Sequence, residues 1–272
     1  MIKYISWTVA LLLWIHSCPL AYATAQIPDQ LRYKGQEVRL FANPLEQWDK
    51  LESIRPKLFG SKPGCASTAC WRNYMAHWEI IAGELYLLGI YSCCFSDDKL
   101  SANLKKLFGE KCINGKVKAD WFSGEVLVPE GKLLRYEHMG YGSIYEKERI
   151  IQLKQGRVIT EKIYDNSKSR TSVYETDSRK LLQFIYKNIV WHKLPQPVSN
   201  ARVFVQFSAN EQGIIDKVEI VKSYDSKYNN EAIRVVRLLS AWSIIYSHGK
   251  FQRMPWTVPI TFSEENRKKY SQ

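Results

Sequence analysis

The 272-residue chain has no GxGxxG turn, no P-loop and no GxSxG elbow. Nucleotide binding and serine-hydrolase chemistry therefore lack their local signatures. It has six cysteines but no CxxC pair, so the standard zinc knuckle spacing is missing as well. No internal repeat or low-complexity tract is visible, and the ten prolines are scattered rather than gathered into a stiff spacer. The formal net charge is +12, yet the basic residues do not run together. "KLESIRPK", "NLKKLFGEK" and "ENRKKY" each hold a few, with acids nearby. With no recognition motif beside it, this charge describes solvated basic faces, and no nucleic-acid partner is expected.

What is present begins at the N-terminus. "MIKYISWTVALLLWIHSCPLAYATAQ" places Lys3 before a mostly apolar stretch from Tyr4 to Ile15, then small residues through Ala23-Thr24-Ala25. This is the layout of a secretory signal peptide over residues 1–25, cleaved after Ala25. The apolar run is shorter than the roughly 20 residues of a membrane span. The expected location is the periplasm or cell envelope. An uncleaved inner-membrane anchor and a lipoprotein signal ending at Cys18 are the alternatives, and membrane association is expected only if residues 1–25 are retained.

Export makes disulfides the expected use of Cys65, Cys70, Cys93, Cys94 and Cys112. Five is odd, so at least one thiol is free or pairs elsewhere. One scheme joins Cys65 to Cys70, and Cys93 or Cys94 to Cys112; the sequence does not fix the connectivity. A zinc site from Cys65, Cys70, His77 and Cys112 is the sharper alternative, without a standard spacing. No metal and no cofactor is expected.

Along the chain, "QEVRLFANP" reads as a strand. "PLEQWDKLESIRPKLF" spaces Leu45, Trp48, Leu51 and Ile54 as a helix does. "HWEIIAGELYLLGIYSCCF" reads as a hairpin turning at Ala82-Gly83. "DDKLSANLKKLFGEKC" reads as a short helix with Asp or Ser near its start and Gly109 near its end. Strand-like runs follow at close intervals: "KVKADWF", "GEVLVP", "KLLRYEH", "IYEKERIIQLKQ" and "GRVITEKIYD", punctuated by glycines. An antiparallel β-rich domain of unknown function is expected over 26–175. The polar stretch "DNSKSRTSVYETDS" marks the boundary with a second domain over 176–272.

That second domain opens with "DSRKLLQFIYKNIVW", a helix capped by Asp177 or Ser178 and ended by "HKLPQPV". In "ARVFVQFSA", Val203, Val205 and Phe207 alternate with their neighbours; after a turn at Gly213, Val218 and Ile220 do the same. "YNNEAIRVVRLLSAW" spaces Ala232, Val235, Val236, Leu239 and Trp242 on a helix, with Asn229 or Asn230 as its cap. "PWTVPITF" places Trp256, Val258, Ile260 and Phe262 on one face, and Pro259 argues for an edge strand. The fold class expected for the whole chain is α+β, ending in a small β-β-α-β layer with a preceding helix.

The order and spacing of these elements over residues about 180–265 resemble the TonB C-terminal domain family. The carriers are Val205 to Phe207, Gly213, the helix from Ala232 towards Trp242, and Pro259-Ile260-Thr261-Phe262. The resemblance implies a non-enzymatic protein-binding module of a double-membrane envelope, linked to transport across the outer membrane. Its partner would be an outer-membrane transporter or another envelope protein, bound as an extended segment at an edge strand. Carried over, the guest lies along Trp256, Thr257, Val258, Ile260 and Phe262. The chain lacks the family's long proline-rich linker, and a β domain stands in its place.

An exported hydrolase is the competing class. Its candidates are Cys70 or Cys94 as nucleophile with His77 or His138 as base, or Asp120, Glu125 and His138 as acid–base groups. That reading requires the polar groups among Trp71, Trp78, Asp120, Trp121 and His138 to converge in one pocket.

Overall fold

In the computed structural model, residues 24–62, 65, 67–94, 100–196 and 201–271 are described. The leader expected over 1–25 therefore lies outside them except for residues 24 and 25, as do Cys18 and Pro197. The fold is α+β with mostly antiparallel sheets. Among the described residues no helix is long and apolar enough to cross a membrane.

The elements follow from short local signals. The strands are β1 (Asp29–Tyr33), β2 (Gln36–Leu40), β3 (Tyr74–Ile81), β4 (Glu84–Ser92), β5 (Cys112–Ile113), β6 (Lys116–Lys118), β7 (Gly124–Arg135), β8 (Ile144–Lys154), β9 (Arg157–Asp165), β10 (Ala201–Ala209), β11 (Ile215–Lys222), β12 (Ile245–Ser247), β13 (Lys250–Gln252) and β14 (Trp256–Phe262). The helices are α1 (Leu51–Ile54), α2 (Leu104–Phe108), α3 (Val173–Thr176), α4 (Ser178–Asn188), α5 (Ser226–Arg237) and α6 (Glu264–Tyr270). Ala82-Gly83 turns between β3 and β4 with both residues at positive φ, 48° and 79°, which suits the twist of a two-residue hairpin. Lys34-Gly35, Asn114-Gly115, Gln155-Gly156 and His248-Gly249 repeat the same left-handed pair.

Contacts divide the chain into two compact units. The first takes residues up to Val126 with Tyr136–Ser143 and Gln152–Thr160; the second takes Leu127–Arg135, Ile144–Ile151 and everything from Glu161. The long strands β7, β8 and β9 thus give residues to both.

In the first unit β1 pairs β2 antiparallel and β3 parallel, and β4 continues the sheet from β3. Its core buries Leu31, Tyr74, Trp78, Leu87 and Ile90 around an ion pair with no exposure at all, Asp29 and Arg72. The Asp29 carboxylate accepts from Arg72 (3.2 Å), the Ala76 amide (3.1 Å) and Trp78 Nε1 (2.9 Å). Arg72 also donates to the Ile27 carbonyl and the Tyr141 hydroxyl, each at 3.0 Å. Burial raises the Asp29 carboxyl to about 6, against the pull of Arg72 and Trp78.

Two disulfides join Cys65 to Cys94 and Cys70 to Cys93, and among the described residues Cys112 is unbridged. This replaces the expected scheme of Cys65 with Cys70 and of Cys93 or Cys94 with Cys112. Neighbouring Cys93 and Cys94, just beyond β4, each take a different partner from the 65–70 loop. Cys112 belongs to the separate β5–β6 hairpin.

In the second unit β10 is the middle strand of three, in the order β11-β10-β14. Val203, Val205 and Phe207 of β10 and Val258, Ile260 and Phe262 of β14 point to one buried layer. Ala232, Val235 and Val236 of α5, with Ile185 of α4, belong to that same layer. In the β10–β11 connection Asn210 Oδ1 accepts from the amides of Gln212 and Ile214, both at 3.0 Å. Gly213 sits there at φ +79°, its carbonyl accepting from the Trp242 amide (2.9 Å), and a Cβ would lie 2.7 Å from the Trp242 carbonyl oxygen.

Several local expectations are corrected. The helix expected over 44–59 is broken into a 3-10 turn at Pro44–Gln47, α1, and another at Arg55–Lys57. Pro56 lies inside the expected helix and interrupts its ladder, whereas Pro44 opens the first turn, where its missing N–H costs nothing. The runs on either side of Gly131 form one strand, β7, because Gly131 passes through at φ +75° without ending it. The cap of α2 is Asn103, and that of α5 is Asp225, a turn earlier than expected. Asn229 instead accepts from the Tyr224 amide (3.3 Å) and donates to Ser223 Oγ (2.7 Å). Trp242 lies beyond the helix, which ends at Arg237, though it is still buried. Helix α4 is capped by Asp177 and stops at Asn188, before the prolines.

Candidate partner-binding edge

Strand β14 stands at a border of the three-stranded sheet. It pairs β10 in unbroken antiparallel register from Ala201↔Phe262 to Phe207↔Trp256, and among the described residues it has no second neighbour. Residues along such a strand turn their N–H and C=O groups to alternate sides. Thr261 fixes the parity. Its amide donates to the Tyr186 hydroxyl of α4 (3.4 Å), and its carbonyl accepts from Asn266 Nδ2 of α6 (2.9 Å). Thr257, Pro259 and Thr261 therefore turn their backbone groups away from β10, whereas Val258 and Ile260 turn theirs towards it.

The outer edge is unequal along its length. At Thr261 both groups are taken. At Pro259 there is a carbonyl but no donor. At Thr257 both the N–H and the C=O remain without a backbone partner among the described residues. Edge strands are commonly blunted in this way to prevent unwanted pairing. Here the blunting covers one half of the edge and leaves a short open stretch around Thr257.

The five residues expected to meet a partner are placed differently from one another. Thr257 is exposed, and its Oγ1 lies 3.5 Å from Gln206 Nε2. Trp256 is half-buried, with its ring 5.7 Å from that of Trp242. The Arg135 guanidinium lies 5.3 Å from the Trp256 ring centre and is paired with Glu175 at 2.8 Å. Val258, Ile260 and Phe262 have their side chains in the core. What those three give the edge is position, since they hold β14 on the apolar layer and so present Thr257. Sequence reasoning missed Tyr186, Asn266 and Arg135, because an edge cap is a tertiary contact with no periodic signal.

Beside the capped end runs a groove of about 830 Å³ between α4 and α6. Tyr186 and Asn266, the two caps of Thr261, both line it. Helix α6 is held by Arg267, which donates to the carbonyls of Trp191 (2.7 Å), Leu194 (3.2 Å) and Pro195 (2.6 Å).

The hydrolase candidates do not meet. Cys70 and Cys94 are both in disulfides, so neither offers a thiolate in this structure. The zinc alternative loses Cys65 and Cys70 in the same way. His77 packs against Tyr91, and His138 against Tyr136. Trp78 is spent on Asp29, Trp71 is exposed, and Glu125 lies exposed at the start of β7. Asp120 and Trp121 line a hollow of about 360 Å³ with Trp48 and Phe108, in which neither Trp71, Trp78 nor His138 takes part. Comparison with protein-family models, with curated proteins and with solved structures finds no match to this chain.

Proposed function

We propose that the chain is an exported protein of the cell envelope whose second unit binds another protein, taking an extended partner segment along the outer edge of β14. The observation that carries this reading is the pair of backbone groups left at Thr257 on a border strand whose other half is capped. A guest strand finds both a donor and an acceptor at Thr257, only the acceptor at Pro259, and neither at Thr261. The order β10, β11, α5, β14 and its likeness in pattern to the TonB C-terminal domain family support the same reading. By that likeness the partner is an outer-membrane transporter or another envelope protein. The two disulfides fit an oxidising, extracytoplasmic compartment, and we place the protein in the periplasm.

The test is position-resolved photo-crosslinking in intact cells. A photoreactive residue at Thr257 is expected to give an adduct mapping to an extended periplasmic segment of an outer-membrane protein. The same residue at Lys217, exposed on β11, is expected to give none. Equal adducts from both positions, or none from Thr257, would contradict the proposal.

A further inference from the structure

We propose that the groove between α4 and α6 receives an acidic, extended peptide, as the continuation of the guest strand that pairs beside Thr257. This rests on the edge-strand reading above and adds the chemistry of the guest.

Three cations line the groove, Arg179 and Lys187 from α4 and Lys269 from α6, and among the described residues no carboxylate lines it. Lys187 and Lys269 are exposed and have no acidic partner within salt-bridge distance among the described residues. Arg179 reaches Asp177 only at 3.9 Å, with its side chain 94% exposed. Leu182, Tyr186 and Tyr270 supply the apolar part of the wall, with the two tyrosine rings 5.4 Å apart. Such a wall suits a ligand that has a carbon skeleton as well as negative charge.

Spacing selects a peptide over a single phosphate. Arg179 and Lys187 are eight residues apart on α4, hence about 12 Å apart along the helix axis. Two anionic groups about that far apart meet both side chains as they extend from the helix, without bending one towards the other. An extended chain puts every second side chain on one face, about 6.6 Å apart, so a few residues with acids at alternate positions span that distance.

Continuity with the edge gives the direction. A guest moving along β14 from Thr257 reaches Thr261, where the Tyr186 hydroxyl and the Asn266 amide already occupy the backbone groups. It can no longer pair there, and the residues that stop it are the wall of the groove. Backbone pairing at one end and charge pairing at the other then divide the recognition, the first giving register and the second selectivity.

The experiment uses the full chain and two fluorescent peptides. One alternates valine and threonine and ends in alternating glutamates; the other has glutamine in place of each glutamate. Fluorescence anisotropy at low salt is expected to show about tenfold tighter binding of the glutamate peptide, a gain lost in high salt. The double variant Lys187→Glu, Lys269→Glu, at two exposed helix positions, is expected to erase the gain. Thr257→Pro, which removes the free amide, is expected to weaken both peptides alike, with circular dichroism confirming the fold. Equal binding of the two peptides, still sensitive to Thr257→Pro, would overturn the groove while leaving the edge-strand reading intact. Selective binding that ignores Thr257→Pro would overturn the continuity argued here and the edge reading together. Binding of neither peptide would overturn both.

Discussion

The two units solve the same problem, holding a sheet together, with different chemistry. The first ties its sheet with two disulfides and centres its core on the fully buried pair of Asp29 and Arg72. The second buries a continuous apolar layer of valine, isoleucine and aromatic side chains. A buried ion pair costs desolvation that its own attraction roughly offsets, so its worth lies in specifying one arrangement and in the penalty for breaking it. An apolar layer stabilises in proportion to the area it removes from water and tolerates volume-conserving changes. The first unit is therefore the more sensitive to the loss of a single polar atom, and the second to the gain of one.

Matched substitutions sharpen that contrast, and they carry the largest effects. Val258→Asp places an unpaired charge in the apolar layer and is expected to cost about 3–5 kcal/mol. Amide exchange should accelerate through β10 and β14. In the first unit, Asp29→Ala leaves Arg72 buried without its counter-charge, at a similar cost of about 3–5 kcal/mol, with exchange accelerating in β1 and β3. If either exchange effect appears in the other unit's strands instead, the contrast fails. Replacing Cys70 and Cys93 by serine should lower the denaturation midpoint by an amount equivalent to about 3 kcal/mol, through the freedom returned to the unfolded loop. The same removal should leave β10 and β14 as protected as before.

The smallest expected effect is on pH dependence. Burial raises the Asp29 carboxyl from 3.8 to about 6, so between those values the folded chain holds a proton that the unfolded chain has released. This group's contribution is full below about pH 4 and is lost as pH rises through about 6. Glu46 acts in the opposite sense. Burial alone would raise it, but its hydrogen bonds from Arg55 and Tyr74 prevail and hold it low, so its contribution is lost in acid. Melting temperature should therefore rise from pH 7 towards about pH 4 through Asp29, with the Glu46 contribution lost in stronger acid. In Asp29→Asn the rise should vanish, and its persistence would assign the slope to another group.

The second unit was the more legible from sequence, and for a physical reason. Its strands have one face buried and one exposed, so Val203, Val205 and Phe207 announce themselves by alternation, as do Trp256, Val258, Ile260 and Phe262. Helix α5 was found from Ala232, Val235 and Val236, although its cap and end were misplaced. In the first unit the Ala82-Gly83 hairpin was readable from turn chemistry. The pairing of β1 with β3 was not, and neither were the disulfide partners or the role of Asp29. Each depends on residues more than twenty positions apart. At the candidate site the border strand was inferred from Pro259, but the caps on Thr261 come from Tyr186 and Asn266, whose contacts no local pattern encodes.

The outer edge of β14 is open at Thr257 and closed at Thr261 among the described residues. Residue-resolved amide hydrogen exchange tests it most directly, first on the free protein and then with a bound partner peptide. The expected result is fast exchange at Thr257 that slows on binding, with Thr261 protected throughout. Protection of Thr257 in the free protein, or no change there when a partner is bound, would contradict the account.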